Sequence, residues 1–241
     1  MTIPHIMVVQ AVYTDKELSA RRLGITSHTL APALQSQIRK PTIHLTQHPE
    51  DPHRHERTAL LLATGCEVVE IYRDEWKLYG EDYQIPSERC VVSRCDDDDS
   101  ISKDFCSRTY EAAEACTDPC ALIWPIGYVF WRSNVFLLSH PGNQFVSLLT
   151  DTGESPHDIP HWKYSEHKPI VTVSRDPGWL WVRHGDSHTS TLQKYRKRKL
   201  RGIAADRFGV NLRAVIRAIK GSGIASANYE EHGERNAQES V

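Results

Sequence analysis

Apolar runs and amphipathic stretches alternate through the first half of the chain, and that alternation predicts a layered α/β fold. Ile6 to Tyr13 (IMVVQAVY) reads as a buried strand. Thr26 to Gln37 reads as a helix, with Ser27 as a cap and Leu30, Leu34 and Ile38 on one face. Ile43 to Thr46 is a short second strand. A helix then runs from the polar stretch after Asp51 towards Gly65, a suitable C-cap, and Glu67 to Tyr72 is a third strand. Arg89 to Arg94 is a fourth, leading straight into Asp96-Asp97-Asp98-Asp99. Ser100 offers a cap for a helix reaching Ala115. From Ala121 the pattern turns to strands and loops. Leu122 to Trp131, Phe145 to Thr150, Pro169 to Ser174 and Trp179 to Val182 have strand character, and Gly153 to His167 reads as a long loop of the kind that often carries function.

The C-terminal part differs in charge. Lys194 to Lys220 holds ten Lys or Arg against one acid, Asp206. Two helices are expected there, Leu192 to Phe208 and Leu212 to Lys220, with a polar, disordered tail after Gly221. The predicted organisation is a domain over 1–190, a basic helical extension over 191–221 and the tail over 222–241. Arg201 to Lys220 has the pattern of a helix-turn-helix, so Lys197, Arg198, Lys199 and Arg201 are candidate nucleic-acid contacts. A docked helical pair with a solvated basic face has the same composition.

The chain of 241 residues is long enough for a full core, and 29 basic against 31 acidic residues leave no overall electrostatic trap. The longest apolar candidate, Cys120 to Phe130, is broken by Pro125 and Gly127 and falls short of the roughly 18–20 residues of a membrane span. A cytoplasmic protein is expected, in the host cytoplasm if viral. Six cysteines lack any Cys-x-x-Cys pair and read as ordinary thiols.

The acidic run carries the chemistry. Four adjacent aspartates repel one another and raise one another's pKa, so something must neutralise them. Solvent alone does this in an exposed turn. At a strand's carboxyl end, where open α/β sheets bind ligands, a hard cation does it too: Mg²⁺ or Mn²⁺ is held by one or two carboxylates plus substrate phosphates. In an extended segment Asp96 and Asp98 point to one side, with Asp99 a third candidate ligand. Arg94 and Arg22 suit phosphate recognition. His48, His53 and His55 read as a solvated loop; His157, His161 and His167 lie in the long loop without an assigned role.

Ser93 to Phe105 (SRCDDDDSISKDF) resembles the Arg-x-Asp-x-Asp-Asp and Lys/Arg-Asp-Phe signature of the bacterial and viral family of putative rhamnosyltransferases, glycosyltransferases of GT-A fold. Arg22 to Gln37 (RLGITSHTLAPALQSQ), Pro125 to Leu148 (PIGYVF…HPGNQFVSLL) and Trp181 to Asp186 (WVRHGD) resemble its other blocks, in order. Together they cover roughly residues 5–190. The family's Glu after the Ser-Leu block is absent here, with Thr150 and Asp151 in its place, and Asp186 stands where Asn is usual.

The resemblance implies a GT-A-like mixed sheet flanked by helices, with the basic helical extension appended. It implies a metal-dependent glycosyltransferase, a hexosyl or pentosyl transferase, with a nucleotide-sugar donor and a hydroxyl acceptor. Asp96, Asp98, Asp99 and His184 would hold Mn²⁺ or Mg²⁺, and Arg22, Arg94, Asp96 and Asp97 the nucleotide-sugar. An inverting enzyme needs a base, for which Asp151 is the candidate and Glu154 the second; a retaining one does not. Two acceptors stay open, a glycan and a hydroxymethylated base in DNA. A DNA-binding protein with a degenerate transferase domain is a third reading.

Overall fold

The computed structural model describes residues 3–74, 85, 88–131, 134–184, 198–200 and 205–220. The first half contains β1 (His5–Ala11), α1 (Lys16–Thr26), α2 (Leu30–Gln35), β2 (Thr42–Gln47), α3 (Arg54–Leu62), β3 (Val68–Tyr72), β4 (Cys90–Asp96), β5 (Ser100–Ile101) and α4 (Phe105–Glu114). The second half contains β6 (Cys120–Ile123), β7 (Ile126–Trp131), β8 (Asn134–Ser139), β9 (Ser147–Thr150), α5 (Tyr164–His167), β10 (Ile170–Thr172) and β11 (Trp179–Val182). After them come β12 (Arg198–Leu200), α6 (Ala205–Phe208) and α7 (Leu212–Lys220).

One sheet has seven strands in the order β10-β6-β9-β4-β1-β2-β3, and a second has five, β12-β8-β7-β11-β5. The strand β1 pairs parallel with both β2 and β4, whereas β9 runs antiparallel to β4 and to β6. This is the mixed α/β architecture expected. On one face of the large sheet Met7, Val9, Ile43 and Leu45 pack with Leu30, Leu34, Leu61 and Phe105 in the main core. On the other face, Val146 and Leu148 lie with Tyr164 and Ile159 of the 153–167 segment.

Stacked aromatics join the two sheets. Phe105 stacks on Trp124 and Phe145 on Trp179, with centroids 5.3 and 5.2 Å apart. Gly127 and Gly178 make this possible, since a Cβ there would lie 2.0 Å from Trp179 and 2.1 Å from Trp124.

Several expected boundaries move, each for a local reason. The helix predicted from Thr26 starts only at Leu30. Thr26 and Thr29 donate their hydroxyls to the carbonyls four residues back, Ser27 to that three back, and such side-chain bonds compete with a continuing helix. Ahead of the break lies α1, which the apolar pattern missed: its buried positions include Ser19, Arg22 and Thr26. Ser100 is a strand residue rather than a helix cap, and α4 begins at Phe105. Leu122 to Trp131 is two strands in different sheets, separated at Trp124-Pro125. In the basic segment, Arg198–Leu200 pairs antiparallel with β8 instead of lying in a helix. The helix α7 packs Val215 and Ile219 into a second core with Ile25, Phe130 and Val182. The tail expected over 222–241 lies outside the described residues.

Candidate active site

The acidic run is the link between the two sheets. Strand β4 carries Asp96 to its carboxyl end in the large sheet, and Ser100 opens β5 in the small one. Between them the Asp99 amide donates to the Asp96 carbonyl at 3.2 Å, which closes a β-turn. The turn sends the four carboxylates in two directions. Asp96, Asp98 and Asp99 converge, with one ligand oxygen from each within 4.8 Å of the others. Asp97 points away into the protein.

Asp97, expected as a donor contact, is only 1% exposed, and its carboxylate is bonded within the protein. Tyr13 donates its hydroxyl to Oδ1 at 2.8 Å, and Arg57 Nη1 bonds Oδ2 at 3.2 Å. Arg57 is itself fully buried, with Nη2 3.3 Å from Asp51 Oδ2 and 3.1 Å from Ser19 Oγ. Pattern reading missed Arg57, Asp51, Ser19 and Tyr13, because each is a polar group that becomes internal only in the tertiary structure. No signal in the sequence pattern marks them, since the inner face of α1 is itself polar.

The converging carboxylates are held from several sides. The Val182 amide donates to Asp99 Oδ1 at 2.8 Å, and Gln144 Nε2 to Oδ2 at 3.4 Å. Arg22 forms an ion pair with Asp98 Oδ2, and His184 Nε2 lies 2.7 Å from the same oxygen and 3.0 Å from Arg22 Nη1. That nitrogen can serve only one neighbour at a time, accepting from Arg22 or donating to Asp98. Burial pushes the Asp98 carboxyl up, but Arg22 and His184 pull harder and leave it at about 2. Burial, then the charges of Asp98 and Asp96, hold Asp99 well above the usual carboxylate range. Burial also raises Asp96, against the pull of Arg94. Burial thus leaves two of the three carboxylates resisting ionisation, which a bound cation would relieve.

The donor set fits a hard divalent cation. Ligand oxygens of one Mg²⁺, Mn²⁺ or Ca²⁺ ion lie within about 5 Å of one another, as these three do. Among the described residues this is the one such group, and His184 touches it through Asp98.

Asp151 is elsewhere. Thr150 pairs with Cys90 at the opposite end of β4, six residues or about 20 Å from Asp96 at about 3.3 Å per residue. Its carboxylate pairs with Arg89 at 3.2 Å. Glu154 pairs with Lys168 at 2.6 Å. Neither meets the cluster, because β9 runs antiparallel to β4 and carries its C-terminal residues away. Arg94 lies two residues before Asp96 on the face that the 153–167 segment covers. Lys197 and Arg201 lie outside the described residues, and Arg198 and Lys199 are backbone members of β12.

The profile of the family described as "Putative rhamnosyl transferase" matches residues 10–196, which include every residue of the cluster. The chain belongs to this family. No curated protein matches it. Among solved structures, residues 1–349 of S. aureus TarS share 10% identity at a TM-score of 0.45, over 75% of this chain and 60% of that one. The chain thus spans about 60% of that relative's length. A putative nucleotide-diphospho-sugar transferase from Desulfovibrio desulfuricans shares 11% at 0.39, over 79% and 90%. A 4-diphosphocytidyl-2C-methyl-D-erythritol synthase shares 10% at 0.41, over 77% and 91%. Likenesses this distant carry no argument about activity. Among the described residues no helix is long and apolar enough to cross a membrane.

Proposed function

We propose that this protein is a metal-dependent glycosyltransferase that moves a sugar from a nucleotide-diphosphate donor to a hydroxyl of a glycan. The observation that carries the reading is the convergence of Asp96, Asp98 and Asp99 at the carboxyl end of β4. Family membership supports the transfer of a sugar. Asp96, Asp98 and Asp99 would hold Mn²⁺ or Mg²⁺, and His184, bonded to Asp98, would be the fourth ligand, an imidazole that favours Mn²⁺. An ion held there would supply positive charge to offset the charge building on the departing diphosphate. Arg22, which reaches the cluster from α1 and pairs with Asp98, would present its guanidinium to the same phosphates. Asp97, Tyr13 and Arg57 keep the turn in place and touch no substrate.

The test is thermal shift and donor hydrolysis across a panel of nucleotide-sugars, with and without Mn²⁺. Asp98→Ala should abolish metal-dependent stabilisation by nucleotide and all transfer, since the diphosphate loses its clamp. Full activity of this variant in excess EDTA would end the proposal.

A second reading, a hydroxymethylated base in DNA as acceptor, is favoured by one observation. Arg213, Arg217 and Lys220 are exposed along α7 at spacings of four and three, one cationic face. The helix-turn-helix pattern gains less support, because the described part of its first helix, α6, is a single turn. The glycan reading is preferred. A DNA-binding protein without activity would require a degraded acidic cluster, and this one is complete.

A further inference from the structure

Beside the acidic cluster, on the sheet face opposite α2, α3 and α4, is a second group of side chains that metal binding leaves without a role. Arg94 sits there on β4, half-buried, with its Nε buried and without a hydrogen-bond partner. Its backbone amide bonds the Val146 carbonyl at 3.4 Å, beneath the 153–167 segment. That segment brings His157 and His161 under the influence of the Arg94 charge, which holds both imidazoles towards the neutral form after burial has done so first. His157 is 5% exposed, and its Nε2 is buried without a partner. A tight turn points it inward: Asp158 N bonds Ser155 O at 3.0 Å, and His157 N bonds Ser155 Oγ at 3.2 Å. A buried imidazole with an unmatched nitrogen is costly unless a ligand completes it, and the buried Nε of the half-buried Arg94 is unmatched beside it.

An aromatic surface adjoins them. Trp162 is 63% exposed, and its ring meets that of His161 edge-on at 4.9 Å. His161 is fixed in turn, donating Nδ1–H to the Gly142 carbonyl at 2.5 Å. Gly142 lets the segments close, since a Cβ there would come 3.3 Å from Trp162 Cα. Asn143 braces the same turn through the Trp124 and His140 carbonyls, and Gln144 continues it to Asp99. His161 is therefore tied to the acidic cluster through one hydrogen-bonded turn.

We infer that Arg94, His157, His161 and Trp162 form the acceptor subsite, and that the acceptor is an anionic carbohydrate. Its negative group meets Arg94 and His157, and a sugar ring lies on the Trp162 face, where an indole offers large contact area at small entropic cost. The donor's phosphates would be met by the metal ion and Arg22, and Arg94, one strand repeat further back, would be free to meet a second anion once the ion neutralises Asp96. The inference rests on the proposed function for the word acceptor, while the binding chemistry stands on its own.

Binding is measured by ligand-observed NMR with glucose, glucuronate and glucose 6-phosphate, and nucleotide binding with Mn²⁺ is followed separately by calorimetry. The two anionic sugars separate a carboxylate from a phosphate as the preferred charge. At least one should bind about 10–100-fold more tightly than glucose, the effect of a charge-assisted hydrogen bond. Arg94→Gln should remove that preference, Arg94→Lys should keep part of it, and Trp162→Ala should weaken all three sugars. Equal binding of charged and neutral sugars, or loss of nucleotide rather than sugar affinity in Arg94→Gln, overturns the inference. Absence of Mn²⁺-dependent nucleotide binding in the unaltered protein, with sugar binding intact, strikes instead at the proposed function.

Discussion

The buried pair behind the acidic turn makes the sharpest prediction about stability. Arg57 is fully buried between Asp51 and Asp97, at 3.3 and 3.2 Å, and lies over the Tyr13 ring at 5.1 Å. Arg57→Met keeps most of the stem volume and deletes the charge. Two buried carboxylates then lose their shared cation, with Arg22 at 3.9 Å from Asp97 as a weaker substitute. Breaking a buried pair from one side costs about 3–5 kcal/mol, a large share of a total of about 5–15 kcal/mol. At about 2–4 °C per kcal/mol for a chain of this size, the melting temperature should fall by about 6–20 °C. The assay is urea unfolding followed by far-UV circular dichroism, beside a thermal melt. Asp51→Asn alone should destabilise. Added to Arg57→Met it should raise stability by about 1 kcal/mol or more, because it removes one stranded charge while an amide oxygen still accepts from Ser19 and the His53 amide. A loss below about 1 kcal/mol for Arg57→Met, or further destabilisation in the double variant, would refute the picture of a dry, charge-balanced anchor. The anchor also sets the Asp97 end of the turn, so Arg57→Met should weaken Mn²⁺-dependent nucleotide binding even where it remains folded.

Three further outcomes can be checked. His5 is held neutral by burial and then by Arg39, its pKa lowered from 6.5 to about 4. The unfolded chain therefore binds the extra proton first, and stability present above pH 6.5 is lost as pH falls towards 4, by up to about 3 kcal/mol; His5→Leu should flatten that part of a urea-midpoint profile, and an unchanged slope would count against it. Gly178→Ala puts a methyl group 2.1 Å from the Trp124 ring and should cost at least about 1–3 kcal/mol by denaturant unfolding, whereas a neutral result would show that the aromatic stack yields easily. If α7 holds DNA, changing Arg213, Arg217 and Lys220 to Gln should flatten the log–log salt dependence of duplex binding by up to about three, measured by anisotropy; no binding near physiological salt, and no sugar on hydroxymethylated DNA with any donor, would leave the glycan as acceptor.

Where apolar periodicity and burial coincide, the fold was legible from the chain. The runs over Ile6–Tyr13, Glu67–Tyr72 and Arg89–Arg94 became β1, β3 and β4, and the acidic residues stand at a strand's carboxyl end as expected. Elements with polar interiors were invisible to the same reading. Helix α1 buries Ser19, Arg22 and Thr26 towards the acidic turn, so its inner face has no hydrophobic stripe to detect. Strand β12 is basic and gains its identity only from pairing with β8. Alternation along an extended segment placed Asp96 and Asp98 together. It could not show that a turn would bring Asp99 in and send Asp97 out, because that depends on one amide-to-carbonyl bond.

Strand direction decides the rest of the site. Period-two patterning marks Phe145–Thr150 as a strand but is the same for either direction. Had β9 run parallel to β4, Asp151 would have emerged beside the aspartates and the residues before Phe145 at the far edge. It runs antiparallel, so the order is reversed: Asp151 and Glu154 leave at the Cys90 end, and Gly142, Asn143 and Gln144 arrive at the acidic end. The turn that enters β9 therefore lies where the segment leaving it was expected. It reaches Asp99 through Gln144 and holds His161 through Gly142, joining the cluster that fits a metal ion to the histidine and tryptophan surface beside it.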